Sequence, residues 1–352
     1  MQSYPNVRGR RIRVAVVGCG RISASHFMAL EKHGADLELV AVCDRDESAL
    51  RSHVARYGVP GYARIEEMLR ERAPDLVVLC TPSGLHPEQA VTAARFGISV
   101  VTEKPMATRW ADGLRMVRSC DEAGVRLFVV KQNRRNPTIQ LLKRAVSEGR
   151  FGRINLVQLN VFWTRPQSYY DQGDGWRGTW ELDGGAFMNQ ASHYVDLLSW
   201  LIGPVQSVQA MTSTTRTIEV EDTGVLNIRW RNGALGSMSV TMLTYPNNME
   251  GSITILGERG TVRVGGVAVN EIQHWRFDEA RDYDATVAAA SYETTSVYGV
   301  GHPLYYRNVI DVMRGDAEPE TDGRAGLRSL ELLVAAYLSA RDGRTVSLPL
   351  EH

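Results

Sequence analysis

The stretch Ile12-Arg13-Val14-Ala15-Val16-Val17-Gly18-Cys19-Gly20-Arg21-Ile22-Ser23 decides the fold. A largely apolar run of β-branched residues ends at two glycines, and a helical sequence, Ala24–Lys32, follows. Such a run suits a strand buried on both faces. Glycines between strand and helix let the backbone approach a pyrophosphate, which the N–H groups at the helix N-terminus would hold. Outward from this unit the pattern repeats. Leu37–Cys43 ends at Asp44, Leu76–Cys80 at Thr81-Pro82, Ile98–Val101 at Glu103-Lys104-Pro105, and Leu127–Val130 at Lys131-Gln132-Asn133. Helical stretches lie between the runs, among them Pro87–Phe96 with Gly97 as its C-cap. Strands alternating with helices predict a doubly wound parallel sheet of the Rossmann type.

Beyond Asn136-Pro137 the texture changes. A helix is expected over Thr138–Glu148, a long strand over Ile154–Thr164, a Gly- and aromatic-rich loop over Arg165–Gly185, and an apolar helix over Ala186–Ile202. Alternating runs follow at Val208–Thr215, Gly224–Trp230, Gly236–Leu243, Ser252–Leu256 and Thr261–Val264, with Asn232-Gly233 as a hairpin signal. Helices near Pro303–Arg314 and Arg324–Ala340 end the chain. The fold class is therefore α/β. A Rossmann domain over residues 1–133 precedes an α+β domain over 134–352, which has a large open, mainly antiparallel sheet.

Composition narrows the class. The 352 residues suit two domains. Lys plus Arg and Asp plus Glu each number 40, so no basic field reaches out to nucleic acid or an acidic membrane. Any anionic ligand must be met by local arginines. Cys19, Cys43, Cys80 and Cys120 form no CxxC pair and no zinc spacing, which predicts no metal and favours a reducing, cytoplasmic setting. Met1–Arg13 carries no apolar signal segment, and no run approaches a membrane span.

The chemistry gathers at the strand ends. Asp44 stands where a carboxylate accepts hydrogen bonds from ribose hydroxyls and repels a 2′-phosphate, so NAD is favoured over NADP. Ser23 replaces the usual third glycine. Thr81, Ser83 and His86 lie at the ligand edge of the third strand, and His86 is equally well read as a locally satisfied residue. Lys104, at the same edge of the fourth strand, would polarise a substrate hydroxyl. On the apolar helix Asn189, His193 and Asp196 share one helical face. A polar stripe there is costly unless paired or functional. Histidine takes a proton near neutral pH.

Together, Gly18-Cys19-Gly20-Arg21-Ile22, Asp44, Thr81-Pro82-Ser83-Gly84-Leu85-His86, Glu103-Lys104-Pro105 and the Gly184-Gly185 turn leading to His193 resemble the Gfo/Idh/MocA oxidoreductases over essentially the whole chain. The resemblance implies that Lys104 and His193 are catalytic. The chain departs from the family pattern with Asn189 where Asp is usual and Ala191 where Gly is usual. The stretches Phe128–Asn136, Trp163–Asp171, Trp176–Trp180 and Phe187–His193 are similar to the branch of the family that oxidises UDP-N-acetylglucosaminuronic acid at C3 with NAD, on the way to the diacetylated aminouronic sugars of O-antigen lipopolysaccharide. That branch implies a UDP-sugar substrate, a PLP-dependent aminotransferase as the next enzyme, and a homotetramer or homodimer. The expected cofactor set is Gly18, Gly20, Arg21, Ile22, Asp44, Thr81, Ser83, His86, Glu103, Lys104, Gln132, Trp176 and Arg177. The expected substrate set is Lys104, Arg134, Asn160, Arg165, Tyr169, Asn189, His193 and His302, with Lys104, His193 and Asn189 catalytic; His302 is also read as a buried structural histidine, and each arginine as a solvated surface residue. Guanidinium forks suit the carboxylate and diphosphate of such a substrate. A different sugar or inositol dehydrogenase, a glycosidase using transient oxidation, and a nonenzymatic NAD sensor remain as alternatives; retention of both Lys104 and His193 speaks against the last.

Overall fold

The computed structural model describes residues 4–172, 174–294, 297 and 301–350. It divides into two compact units, Met1–Lys131 with His302–Leu330, and Gln132–Gly301 with Glu331–His352. The first crossing falls two residues from the expected boundary at 133. The two later crossings arise because the chain returns to the first unit near its end.

The first unit is built on β1 (Ile12–Val17), β2 (Leu37–Cys43), β3 (Gly61–Tyr62), β4 (Leu76–Leu79), β5 (Ser99–Thr102) and β6 (Leu127–Val129). Their order is β3-β2-β1-β4-β5-β6, and every pairing is parallel. β1, β4 and β5 are almost wholly buried, as strands covered on both faces must be. The strand order reverses beside β1, and at such a switch point an open parallel sheet leaves a crevice at the strand C-termini. The returning helix Gly301–Arg314 places Tyr305, Tyr306, Val309, Ile310, Val312 and Met313 in this unit's core, against Val14, Val16, Phe27 and Phe128.

The second unit carries β7 (Ile154–Phe162), β8 (Val205–Ser213), β9 (Thr223–Trp230), β10 (Leu235–Thr241), β11 (Glu250–Gly257), β12 (Gly260–Gly265), β13 (Glu271–Phe277) and β14 (Val346–Ser347). They form one sheet in the order β13-β12-β11-β7-β10-β9-β8-β14. Only β7 and β10 run parallel. β9 alternates strictly between buried and exposed side chains. One face is therefore covered and the other is open, with Leu156, Met211, Val225 and Leu235 exposed on it. The covered face receives residues 186–202: a Cβ on Gly224 would lie 2.3 Å from the Phe187 ring, and Trp230 Nε1 donates to the Leu198 carbonyl at 3.3 Å. Among the described residues no helix is long and apolar enough to cross a membrane.

Candidate active site

The turn after β1 is shaped by close approach. Gly18 has φ +94°, and a Cβ there would lie 2.7 Å from the backbone of Cys80. Only glycine fits both demands. Gly20 is exposed, and nothing stands within 4 Å of where its Cβ would be, so the loop offers open backbone. The helix Ser23–Lys32 has no side-chain cap at its N-terminus. Open glycine backbone leading into uncapped helical N–H groups fits a dinucleotide pyrophosphate. Ser23 is buried and donates to the Gly20 carbonyl at 2.7 Å, so the hydroxyl is satisfied where a third glycine is usual. Arg21 is exposed and Ile22 half-buried on the same loop. Asp44 accepts from the Cys19 N–H at 2.6 Å and the Asp46 N–H at 2.8 Å, which ties the carboxylate to the glycine loop.

At the end of β4, Thr81 donates to Gln89 at 2.6 Å, and the buried Ser83 opens a 3-10 turn. His86 is buried, and both ring nitrogens meet backbone carbonyls, Thr81 at 2.9 Å and Pro105 at 3.0 Å. Burial lowers its pKa, against the carbonyl hydrogen bonds. It ties the β4 and β5 ends together.

Glu103 is the hub of a buried polar cluster. Its Oε1 receives His26 Nε2 at 3.0 Å and His302 Nε2 at 3.3 Å, and its Oε2 accepts the Lys104 N–H at 3.1 Å. His26 Nδ1 lies 2.7 Å from the Tyr306 hydroxyl. Burial alone would raise the Glu103 pKa, but the hydrogen bonds from His26 and His302 outweigh it and hold the carboxyl well below the usual range. Burial lowers the His26 pKa, so an ionised Glu103 carboxylate meets an uncharged His26. The ligand atoms of His26, Glu103 and His302 lie within 4.8 Å of one another, close enough to share a metal ion. The observed separations are also those of hydrogen bonds onto a carboxylate. His302, read both as a substrate contact and as a buried structural histidine, is buried against Glu103. Its partners are 199 and 276 residues away in sequence, so no local spacing could reveal them.

In the second unit the polar stripe resolves into three pairs. Asn189 Nδ2 donates to Asp183 Oδ1, His193 Nε2 meets Gln132 Nε2 at 2.9 Å, and Asp196 takes both Nε and Nη2 of Arg134 at 2.6 Å. Amide orientation is set by the network, so the Gln132 group facing His193 is either its N–H or its carbonyl. The segment is not one regular helix. Ala186–Gln190 is π-helical, Ser192–Leu197 α-helical and Leu198–Ile202 π-helical again. π-turns shift side chains off the i, i+4 rows, and each polar residue finds its own partner. Asp183, which sequence reasoning missed, restores a carboxylate beside Asn189. It also accepts the Gly178 N–H at 2.7 Å.

Arg134, expected to grip substrate, is buried with its fork on Asp196 and its guanidinium 5.2 Å from the Trp200 ring. Asn160, also in the expected substrate set, faces the open side of the sheet and donates to Glu250 at 3.2 Å. Val157, Leu159 and Val161 occupy the covered side, and the two-residue period of a strand puts Asn160 opposite them. The aromatic loop does converge. Arg165 donates to Gln190 at 3.0 Å, Gln190 donates to the Tyr169 hydroxyl at 3.3 Å, and the guanidiniums of Arg165 and Arg177 lie 5.5 and 5.0 Å from the Tyr169 ring. Arg177 also lies 4.7 Å from Trp176, and its buried Nε has no partner among the described residues. The half-buried guanidiniums of Arg165 and Arg177 thus converge on Tyr169, and a guanidinium fork suits anionic oxygen.

Beneath this segment lies Glu221, a further residue without a sequence signal. It accepts from the Phe187 N–H at 2.8 Å and the Tyr337 hydroxyl at 2.9 Å, while its other oxygen is buried without a partner among the described residues. Burial pushes its pKa up to about 7. The folded protein then holds a proton that the unfolded chain releases near its ordinary value of 4.5. Stability contributed here is complete below that ordinary value and falls as pH rises toward about 7, by about 3 kcal/mol. Glu221→Gln is expected to melt higher than the parent at pH 8 and to lose most of that advantage at pH 5. Urea unfolding at both pH values checks this, and an equal difference at both would contradict it.

Residues 12–131 match a family model described as "Oxidoreductase family, NAD-binding Rossmann fold". Residues 143–348 match its companion, "Oxidoreductase family, C-terminal alpha/beta domain". The chain is 64% identical, with a TM-score of 0.96 over 100% of both chains, to the WlbA dehydrogenase of Chromobacterium violaceum, solved in complex with NADH and UDP-GlcNAcA. It is 63% identical, with a TM-score of 0.96 over 98% of this chain and 100% of that one, to the WlbA dehydrogenase of Bordetella pertussis, solved with the same two ligands. A D-apiose dehydrogenase from Paraburkholderia graminis is 29% identical over 96% of this chain and 90% of its own.

Proposed function

The chain belongs to the Gfo/Idh/MocA oxidoreductase family, and on that premise we propose that it oxidises the C3 hydroxyl of UDP-N-acetylglucosaminuronic acid to the 3-ketone with NAD. The observation that carries this reading is the full-length likeness to two WlbA dehydrogenases solved with NADH and UDP-GlcNAcA. The chain's own residues support it. Gly18, Gly20 and the N-terminus of Ser23–Lys32 would hold the pyrophosphate, and Asp44 the ribose hydroxyls. NAD, when bound, supplies the hydride acceptor.

The protein's part is to place and deprotonate the hydroxyl. Lys104 holds the reacting oxygen and stabilises charge on it as the proton leaves. His193 takes that proton as general base, with Gln132 fixing its ring through Nε2. Asn189, oriented by Asp183, donates to the sugar. Arg165 and Arg177 meet the uronate or diphosphate oxygens, and Tyr169 and Trp176 pack beside them. Consumption of the ketone falls to a PLP-dependent aminotransferase, in the assembly of O-antigen sugars. The apolar residues on the open sheet face, Leu156, Met211, Val225 and Leu235, support a homotetramer or homodimer joined there. Four buried free cysteines suit a cytoplasmic enzyme. NADH formation with UDP-GlcNAcA, and its absence with UDP-GlcNAc, tests the substrate. The aminotransferase, glutamate and PLP are added to draw off the ketone. Equal rates with both sugars would contradict recognition of the carboxylate.

A further inference from the structure

The hydrogens of the Glu103 cluster follow from chemistry. An ionised carboxylate only accepts, so the Nε2 atoms of His26 and His302 that reach Oε1 both carry hydrogen. His26, uncharged, then has a bare Nδ1, and the Tyr306 hydroxyl 2.7 Å away must donate to it. One oxygen of Glu103 is thus taken by histidines, and the other by the backbone N–H of Lys104 at 3.1 Å. On the far side of the same turn, His86 holds the Pro105 carbonyl. The Glu103-Lys104-Pro105 turn is gripped from both ends.

A buried charge with three polar neighbours is a poor source of stability, because apolar residues would fill the space without desolvation. What the cluster gives is direction. We propose that Glu103, held by His26, His302 and Tyr306, is a positioning residue for Lys104: it fixes the backbone from which the ammonium reaches the reacting oxygen. The returning helix Gly301–Arg314 supplies two of the four groups, so a helix distant in sequence sets the geometry of the turn at residue 104. The inference rests on Lys104 as the group that holds the substrate oxygen.

Glu103→Gln keeps the shape but has one acceptor where two are needed. Either the histidines or the Lys104 N–H then faces an amide donor. A displacement of about 1 Å at a catalytic group lowers rate by about 10²-fold. The expected result is a fall in kcat of about 10–100-fold with KM within about threefold. In a Lys104→Ala background the same change is expected to add less than about threefold, because the two residues act as one unit. Amide hydrogen exchange across residues 99–107 is expected to quicken in Glu103→Gln, with residues 76–80 unchanged. Tyr306→Phe, which removes only the donor to His26, follows the same cycle with a smaller loss and serves if Glu103→Gln does not fold. Losses that multiply in the double variant, or unchanged exchange across 99–107, would overturn the proposal. The exchange is read without substrate, so it stands or falls separately from the proposed reaction.

Discussion

Lys104→Ala and His193→Asn are each expected to lower turnover by about 10²–10⁴-fold while leaving the melting temperature within a few degrees of the parent. The two residues do different work. Without Lys104, charge building on the substrate oxygen has no cation beside it, a loss typical of removing one preorganised electrostatic partner. Without His193, no group of suitable basicity takes the hydroxyl proton: an asparagine side chain can hydrogen-bond to Gln132 but cannot take up that proton. NAD affinity should change little in His193→Asn, because the glycine loop and Asp44 are untouched. Steady-state kinetics with nucleotide titration separate the effects. Turnover near the parental value in both variants would remove these residues from the mechanism.

Asp196→Ala is expected to destabilise the protein by about 3–5 kcal/mol, because it leaves the Arg134 guanidinium buried and uncompensated. Asp196 and Arg134 are both buried and joined through two bonds of 2.6 Å. Trp200 lies 5.2 Å from the guanidinium and also 4.9 Å from Lys143, so positive charge already crowds that ring. Replacing both partners with apolar residues, Arg134→Met with Asp196→Leu, should recover most of the loss. Urea unfolding of the single and double variants measures both quantities. A loss below about 1 kcal/mol in Asp196→Ala would mean that the pair is solvated and exchangeable.

The first sheet was legible because buried parallel strands are continuous apolar runs, and the strand ends therefore carried Asp44, Thr81 and Glu103-Lys104 in plain view. β3 and β14 are two residues each, too short for any period. β13, Glu271–Phe277, is an edge strand that is mostly exposed, so its polar residues hid it. Candidate residues could be named one by one from the sequence, but their pairings could not. Helical spacing put Asn189, His193 and Asp196 on one face, yet the π-turns give them separate partners in Asp183, Gln132 and Arg134. Arginine near a strand end reads alike whether it grips substrate or an aspartate 62 residues away. His26, Asp183, Glu221 and Tyr306 gave no signal, because each acquires its meaning from a contact distant in sequence or hidden in a turn.

The most direct test of the account follows the hydrogen at C3. UDP-GlcNAcA carrying deuterium at that carbon is mixed with the enzyme and NAD, and the reduced nicotinamide and the sugar are examined by mass spectrometry and NMR. The account predicts deuterium in the NADH, a ketone at C3, and slower turnover than with the unlabelled sugar. NADH without deuterium, or a ketone at another carbon, would contradict it.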